Sequence, residues 1–420
     1  MELDQGNTAF LLIAAALVLL MTPGLAFFYG GLVKAKSVIS MMMMSFGAMG
    51  LIGLLWVLYG YAITFSNDVG WDGVIGIDTN QLGLQGAYNE VLTGEYATAF
   101  PTIAFAAFQA TFAIITVALI SGAIADRAKF GSWMIFAGIW ATVVYFPVAS
   151  WVFNFTLGED GSVVNGGWIA SMGVIDFAGG TAVHINAGAA ALALALVLGK
   201  RVGFAKGAHV PHNPPFVLLG AGLLWFGWFG FNAGSELAAD GVAAVAFLNT
   251  IAAPAAAILG WLIVEKLRDG KPTSVGAASG AVAGLVAITP ACAALSPFWA
   301  IVLGLVAGVI CALAIDLKFK LGFDDSLDVV GIHLVGGLVG TLYVGIFSTA
   351  SGLAFGFGFA QLGIQALAAF SVLIYSFVLS YVIGLAIQKT IGFRVKNEDE
   401  IAGIDTSIHG EEGYVLADAR

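Results

Sequence analysis

The sequence contains few charged residues. Of its 420 residues only 10% are charged, whereas 60% are hydrophobic and the mean hydropathy is +0.95. A single water-soluble core could not bury so many apolar side chains, so this composition excludes a soluble fold. It predicts an all-α polytopic membrane protein, in which the 56 glycines let helices pack closely within lipid.

Cysteine is nearly absent. Only Cys292 and Cys311 occur, both in apolar segments and without a C-x-x-C spacing. This usage indicates neither a disulfide framework nor a soft-metal site.

Positive charge is missing from long stretches of the chain. All sixteen Lys and Arg residues fall into six clusters, which are Lys34 and Lys36; Arg127 and Lys129; Lys200, Arg201 and Lys206; Lys266, Arg268 and Lys271; Lys318 and Lys320; and Lys389 to Arg420. Each interval between clusters can hold two apolar helices of about 20 residues, and the segment before Lys34 holds one. The sequence therefore predicts eleven transmembrane helices. Because positive charge favours the cytoplasmic side, we expect the N-terminus outside and the C-terminus in the cytoplasm.

The predicted spans cover residues 8–33, 38–65, 98–125, 131–153, 168–199, 215–237, 241–265, 273–291, 298–317, 328–350 and 358–389. No low-complexity linker divides the chain, so we expect one transmembrane domain over residues 1–393 and a cytoplasmic tail over residues 394–420. The longest predicted outer loop, residues 66–98, has no basic residue. Its acidic residues are Asp68, Asp72, Asp78, Glu90 and Glu95. Such a loop attracts cations, and an ordinary solvated loop with an acidic bias explains it equally well.

Two histidines lie inside predicted spans. His184 follows Asp176 in DFAGGTAVHINAGAA, about 22 Å from the outer start of the fifth span, which places it near the bilayer midplane. His333 lies in DVVGIHLVGGLVG, where Asp328 precedes it. These segments belong to the fifth and tenth spans. Two five-helix repeats, spans 1–5 and 6–10, would be inverted relative to one another, with a shared site between them and an eleventh helix added at the end.

Each feature has a structural alternative. An intramembrane histidine can be a buried ring bonded to a backbone carbonyl, but two at matching positions favour a transport pathway. A metal site would need further ligands, and no Cys, Glu or third His stands at helical spacing. Asp176 is expected mainly to accept hydrogen bonds from backbone amides at the floor of the outer vestibule, with direct cation binding as the alternative.

Aromatic residues form two stripes. Trp228, Phe231 and Ser235 have the spacing i, i+3 and i+7, so one helix face carries an indole, a phenyl ring and a hydroxyl. A second stripe consists of Phe105, Phe108 and Phe112. Such stripes commonly pack in a core, but rings beside a hydroxyl with no competing cationic side chain also suit a small cation.

Several long motifs resemble the ammonium transporter family Amt/Mep/Rh in its bacterial Amt branch. They are TPGLAFFYGG, DFAGGTAVHINAG, GWFGFNAGS, ITPACA, DDSLDVVGIH and GIDTSIHGEEGY, and they extend from the first span to the tail. The resemblance implies a homotrimer in the cell membrane, with one pore per subunit and a cytoplasmic PII-type signalling partner. It implies ammonium, ammonia and methylammonium as substrates, and neither a cofactor nor a nucleic-acid partner.

The resemblance also implies residue roles. Phe112 and Ser235 would form an outer ammonium site, and Phe112 with Phe231 would close the pore below it. His184 and His333 would line the pore, supported by Trp228, Thr289, Val329 and Asp176. This chain departs from the family where a tryptophan often faces the outer site, because Phe153 occupies that place.

The expected function is ammonium uptake. An apolar pore disfavours a charged solute, so NH4+ held at the outer rings would lose a proton and cross as NH3, with or without separate proton transfer. The alternatives are a neutral gas channel, an ammonium sensor and an intramembrane enzyme. Against an enzyme, no nucleophile or nucleotide-binding loop accompanies the histidines.

Overall fold

The protein is almost entirely helical. The computed structural model describes residues 3–66, 73–92, 99–157, 163–204 and 210–414. Its eleven apolar helices are α1 Gln5–Leu32, α2 Ala35–Thr64, α3 Thr102–Ile124, α4 Phe130–Phe153, α5 Gly180–Leu198, α6 Pro214–Glu236, α7 Gly241–Arg268, α8 Ser274–Ile288, α9 Pro297–Leu321, α10 Val330–Phe347 and α11 Ala360–Thr390. A short helical turn, Trp168–Ser171, precedes α5, and a tail helix, α12 Asn397–Ala402, follows α11.

The lengths of these helices agree with a polytopic membrane protein. Within the described residues, ten helices, all but α8, are long and apolar enough to cross a membrane. Helix α8 has 15 residues, which is about 22 Å and less than the roughly 30 Å of a bilayer core. The helical membrane class is therefore confirmed, while the count of eleven spans and the orientation of the termini stay predictions.

Two short hairpins follow helices α2 and α4. Strand β1 Val91–Leu92 pairs antiparallel with β2 Phe100–Pro101, and β3 Phe155–Leu157 pairs antiparallel with β4 Val163–Gly166. In the predicted outer loop, Asp78 accepts a hydrogen bond of 2.9 Å from the amide of Asn80. Asp68, Asp72 and Glu95 lie outside the described residues.

Glycines let corresponding helices of the two predicted repeats approach closely. A Cβ atom at Gly220 of α6 would overlap the backbone of Phe28 in α1. A Cβ atom at Gly188 of α5 would lie 2.5 Å from the amide nitrogen of Leu334 in α10. The first helices of the two predicted repeats thus pack together, and so do the fifth helices, as expected where small residues replace bulk at helix interfaces.

The fifth predicted span, residues 168–199, is wrong at its N-terminal end. The chain is helical at Trp168–Ser171, leaves the helix, and starts α5 only at Gly180. Gly173 and Gly179 have φ values of +79° and +114°, a left-handed conformation that glycine adopts without strain. His184 therefore lies four residues from the start of α5, about 6 Å along its axis, and not about 22 Å as a continuous helix requires.

Candidate functional site

Helices α5 and α10 bring the two predicted histidines into contact. Their Nδ1 atoms lie 3.2 Å apart, with ring centroids 5.3 Å apart and ring planes 29° from parallel. At that distance one Nδ1 donates and the other accepts, so the two rings share one N–H. Only 1% of His184 and 3% of His333 is exposed. Among the described residues, the Nε2 atom of His184 has no hydrogen-bond partner.

Both histidines lie in turns of unusual winding. The first turns of α5 and α10, Gly180–Ile185 and Val330–Leu334, are π-helical. A π-turn places one extra residue in the helical circuit and often occurs at functional sites. The two helices therefore present their imidazoles from equivalent local structures.

The histidines line a narrow apolar passage. Its cavity has a volume of only about 10 Å³, enough for about one water-sized molecule. Besides the two histidines, its walls are Met21, Leu25, Phe28, Ile115, Leu119, Val183, Leu224, Trp228, Phe231 and Val282. The imidazoles are thus its only wall residues with ring nitrogens that can accept a proton.

Trp228 is held in place beside His184. Its Nε1 donates to the Thr289 hydroxyl over 2.9 Å, and that hydroxyl donates to the Leu285 carbonyl over 2.7 Å. The indole stacks on His184 with centroids 5.5 Å apart and planes 24° from parallel. Because its donor is already satisfied by Thr289, Trp228 offers the passage an apolar face.

Two stacked rings separate the histidines from a larger cavity, which we name the outer cavity after the predicted orientation of the chain. Phe112 and Phe231 have centroids 4.2 Å apart and planes 25° from parallel, and Phe231 lies 6.0 Å from the His184 ring. Phe112 lines the outer cavity, and Phe231 lines the histidine passage. A solute moving between the two must displace at least one ring.

The outer cavity contains the remaining residues of the predicted cation site. Its volume is about 820 Å³, and Phe112, Phe153 and Ser235 all line it. Phe153 meets Phe112 edge-on, with centroids 6.4 Å apart and planes at 78°. The Ser235 hydroxyl donates to the Phe231 carbonyl over 2.8 Å, which leaves its oxygen lone pairs available to accept. The structure therefore places Phe153 on the same cavity as Phe112 and Ser235.

Asp176 lies at the floor of this cavity and organises the start of α5. One carboxylate oxygen accepts the amides of Gly179 and Gly180, and the other accepts those of Thr181 and Ala182 together with the Thr181 hydroxyl. The first amides of a helix have no partner within the helix, and a carboxylate is their strongest acceptor. The Asp176 side chain is therefore occupied by backbone donors.

At the inner end the aspartate that corresponds to Asp176 is Asp325, and not the Asp328 that opens the motif DVVGIH. Asp325 is the carboxylate that accepts from the start of α10, through a 2.7 Å bond from the Val330 amide. Asp328 has a positive φ of 63° and pairs with Lys318 at 2.5 Å. The signal that identifies Asp325 is its spacing, because it stands eight residues before His333, as Asp176 does before His184.

An inner cavity lies next to this region. It has a volume of about 370 Å³ and is lined by Lys34, Arg201, Lys318 and Asp328 among others. Val329, which the family resemblance implies along the pore, is 1% exposed and packs near Gly122 of α3. The basic residues that line this cavity belong to the predicted cytoplasmic clusters, so we assign the cavity to the inner end.

A buried charge network connects the inner loops. Arg201 pairs with Asp126 at 3.0 Å and with Asp324 at 2.9 Å. Burial opposes ionisation of Asp324, but hydrogen bonds from Arg201 and the charge of Arg127 outweigh it and lower the pKa of this carboxyl. Arg127 is fully buried, and burial lowers its pKa to about 10 although Asp324 opposes the shift. These contacts fix the loops after α3, α5 and α9 to one another.

The described part of the tail packs against these loops. Asp405 accepts the amides of Ile39 and Ser40 at the start of α2 over 3.0 and 2.8 Å. Burial raises the pKa of Asp405, while those amides oppose the shift. Glu400 accepts the Val202 amide after α5 over 2.6 Å.

Two further contacts extend along the tail. The Val395 amide donates to the Arg127 carbonyl over 2.9 Å. Farther on, the Tyr414 hydroxyl lies 2.8 Å from Nε2 of His212. The tail through Tyr414 therefore has a defined position beneath the helices.

Within the described residues, no three His, Cys, Asp or Glu side chains are grouped to hold a metal ion. Both cysteines are free and buried. Two cavities separated by stacked rings and a histidine-lined apolar passage, all within a bundle of membrane-length helices, define a membrane transport protein.

Comparison with known proteins identifies the family. The profile of the Ammonium Transporter Family matches residues 9–414, so the chain belongs to that family. An ammonium transporter of Mycobacterium tuberculosis (strain ATCC 25618 / H37Rv) is 56% identical over 444 residues, which cover 99% of this chain and 91% of that protein. The family resemblance is therefore confirmed. Because the relatives are named as transporters, the expectation that the protein is not an enzyme is confirmed too.

Solved structures agree with this assignment. A protein described as a sensor Amt protein has a TM-score of 0.86 and 29% identity, with 99% of this chain and 98% of that chain covered. Mep2 of Candida albicans has a TM-score of 0.85 and 31% identity, with 99% of this chain and 94% of that chain covered.

Proposed function

We propose that this protein takes up ammonium and methylammonium across the plasma membrane. The cation is held in the outer cavity by the Phe112 and Phe153 rings and the Ser235 oxygen. It gives up a proton and passes the Phe112 and Phe231 rings as a neutral amine, then moves along His184 and His333. The observation that carries this proposal is the pair of contacting, buried imidazoles in an apolar passage between two larger cavities.

The width and polarity of the passage supply selectivity. A space of about 10 Å³ admits a solute of water size but not its hydration shell. Ammonium can lose a proton and enter as NH3, whereas potassium has no neutral form and keeps the full cost of desolvation. The imidazole nitrogens give NH3 hydrogen-bond partners where the other walls offer none.

The proton requires a separate route from the amine. His184 and His333 share one N–H, and the Nε2 of His184 is free among the described residues, so the pair has both a donor and an acceptor site. Proton transfer through this pair makes uptake electrogenic. Return of the proton to the outside makes the protein a neutral gas channel.

The expected assembly follows from the same family assignment. We propose eleven spans, with inverted repeats of α1–α5 and α6–α10, an outer N-terminus and a cytoplasmic tail. Three such subunits form a homotrimer with one pore each. The close approaches of α1 to α6 and of α5 to α10 support the repeat, because each joins helices at corresponding positions.

The test is ammonium-driven current in proteoliposomes that contain His184→Ala. This change removes one of the two imidazoles, so current should fall at least tenfold while the thermal unfolding and size of the detergent-solubilised protein stay those of the wild type. Trp225→Phe is a suitable control, since Trp225 lies on the same helix as Trp228 but outside the passage walls. Normal current in the His184 variant contradicts the proposal.

A sensor is the second candidate, because one similar structure is described as a sensor Amt protein. The two functions differ in flux. A sensor binds methylammonium with little transport, so saturable binding without current would favour it.

The tail is proposed to couple the three pores and to present a surface to a PII-type protein. Its contacts with α2 through Asp405 and with the loop after α5 through Glu400 support this role. Deletion of residues 397–420 should lower flux in every subunit without loss of membrane insertion. Mixing truncated with intact subunits should lower flux more than in proportion, whereas strict proportionality contradicts coupling.

A further inference from the structure

The outer cavity has two polar walls that the proposed mechanism does not use, Gln109 and Glu236. Gln109 lies on α3, one turn before Phe112, and Glu236 is the last residue of α6, directly after Ser235. Both line the cavity that contains Phe112, Phe153 and Ser235. An amide and a carboxylate therefore face the same space as the rings.

Gln109 is a largely buried polar residue of the cavity wall. Only 8% of the residue is exposed, and among the described residues its side-chain amide makes no hydrogen bond. The side chain borders the cavity, so a solute there is the available partner for its carbonyl oxygen.

Glu236 is a carboxylate without a counter-ion. No ion pair involves it among the described residues, and the walls of the outer cavity contain no Lys or Arg. The next residue, Leu237, has a positive φ of 61°, and its amide donates to the Gly234 carbonyl over 3.0 Å. A non-glycine residue in this conformation is strained, and such strain persists where the surrounding structure requires a particular geometry. This turn fixes Glu236 at the cavity wall.

The neighbouring aspartate, Asp240, accepts hydrogen bonds from backbone amides. Asp240 caps α7 by accepting the amides of Val242 and Ala243 over 2.9 and 3.0 Å. Asp240 and Glu236 are also neighbours joined by a side-chain hydrogen bond, so the two carboxyl groups share a proton and keep a net negative charge at the cavity wall. Glu236 accepts no hydrogen bond from the Val242 and Ala243 amides.

We propose that Glu236 and Gln109 form a recruiting pair for ammonium and methylammonium at the outer cavity. This inference rests on the proposed function. Glu236 raises the local concentration of the cation by charge, and the Gln109 carbonyl oxygen accepts one of its N–H groups. The cation then moves to Ser235 and the rings, where it gives up its proton.

The first test is Glu236→Gln, which keeps the shape and removes one carboxyl group from the wall of the cavity. The half-saturating concentration for methylammonium current should rise roughly threefold to tenfold at about 0.01 M salt, with the maximal rate unchanged, because a contact before the barrier is lost. The rise should shrink at about 0.15 M salt, where the Debye length falls from about 30 Å to about 8 Å.

Glu90→Gln is the matched control. Glu90 is exposed, lies in the predicted outer loop and does not line the cavity, so this change removes the same charge from another place. Its half-saturation should stay at the wild-type value. The proposed pair is overturned if the half-saturating concentration of Glu236→Gln equals that of the wild type, or if it rises equally in Glu236→Gln and Glu90→Gln.

The second test is Gln109→Leu, which removes the amide dipole but keeps a side chain of similar size. The half-saturating methylammonium concentration should rise by the same factor at low and high salt. In the double variant with Glu236→Gln, the combined effect should differ from the sum of the two single effects, since both residues contact one cation. Strict additivity overturns the pair. Wild-type protein without any methylammonium current contradicts the proposed function itself, whereas normal wild-type current with unchanged variants contradicts only the pair.

Discussion

The two histidine-bearing helices start in different electrostatic surroundings. Asp176 and Asp325 each stand eight residues before a pore histidine and accept backbone amides at the start of α5 and α10. Asp176 serves four amides and one hydroxyl, and no ion pair includes it among the described residues. At the inner end, Lys318 bonds to the Asp325 carbonyl over 3.1 Å and pairs with Asp328.

This difference separates the two ends of the passage by charge. The outer cavity borders the carboxylates of Asp176 and Glu236 and has no basic wall residue. The inner cavity combines Asp328 with Lys34, Arg201 and Lys318. A cation is attracted to the first and not to the second. Such an asymmetry agrees with the proposed uptake, in which a cation enters at the outer cavity and a neutral amine leaves at the inner cavity.

Removing the outer carboxylate should have the largest effect. Asp176→Ala leaves the amides of Gly179, Gly180, Thr181 and Ala182 without their acceptor, and each unpaired buried donor costs about 1–3 kcal/mol. We expect a fall in melting temperature of more than about 10 °C, or loss of folded protein, together with loss of current.

Asp325→Ala is the matched change at the inner end. It removes the acceptor of the hydrogen bond from the Val330 amide, so the melting temperature should fall by clearly less than in Asp176→Ala. Thermal unfolding followed by tryptophan fluorescence measures both. Equal losses would mean that the two carboxylates support their helices to the same degree.

The inner carboxylate should also give a pH dependence of stability. Burial raises the pKa of Asp325 to about 6, although Lys318 opposes the shift. This value lies above the roughly 3.9 of an unfolded aspartate, so the folded protein binds this proton more tightly. The resulting stabilisation is complete below about pH 4 and is lost as the pH rises through about 6.

Asp325→Asn keeps a neutral side chain at every pH. The melting temperature of the wild type, relative to that of this variant, should therefore fall by a few degrees between pH 4 and pH 6. Asp405, whose pKa burial also raises, is present in both proteins and cancels in the difference. A constant difference across this range contradicts a raised pKa for Asp325.

The sequence predicts most of the helices because their apolar runs are long and bounded by charges. It does not predict the break before α5, since the residues between Ser171 and Gly180 are mostly apolar and hydropathy continues through them. It also does not identify which aspartate before His333 corresponds to Asp176. The stretch DDSLD contains three aspartates, and only the fold decides that Asp325 accepts from α10 while Asp328 pairs with Lys318.

The aromatic residues of the site are predictable for a different reason. Ring spacing along α6 places Trp228 and Phe231 on one face, and the structure stacks both near His184. Gln109 and Glu236 gave no signal of this kind, because a lone amide and a helix-end carboxylate are common on any surface. Only the shared cavity distinguishes them.

The smallest expected effect concerns the ring that replaces the usual tryptophan of the family. Phe153 meets Phe112 edge-on and lines a cavity of about 820 Å³, which has room for a larger ring. A cation over an aromatic ring gains about 0.5–1 kcal/mol at an exposed site, and an indole attracts it more strongly than a phenyl ring. Because only the difference between the two rings counts, Phe153→Trp should lower the half-saturating methylammonium concentration by roughly twofold, with little change in maximal rate. Phe153→Leu keeps the apolar bulk without the ring and should raise it. If neither variant moves half-saturation, Phe153 is not a wall of the cation site, and the outer end attracts its cation through carboxylates and the Phe112 ring alone.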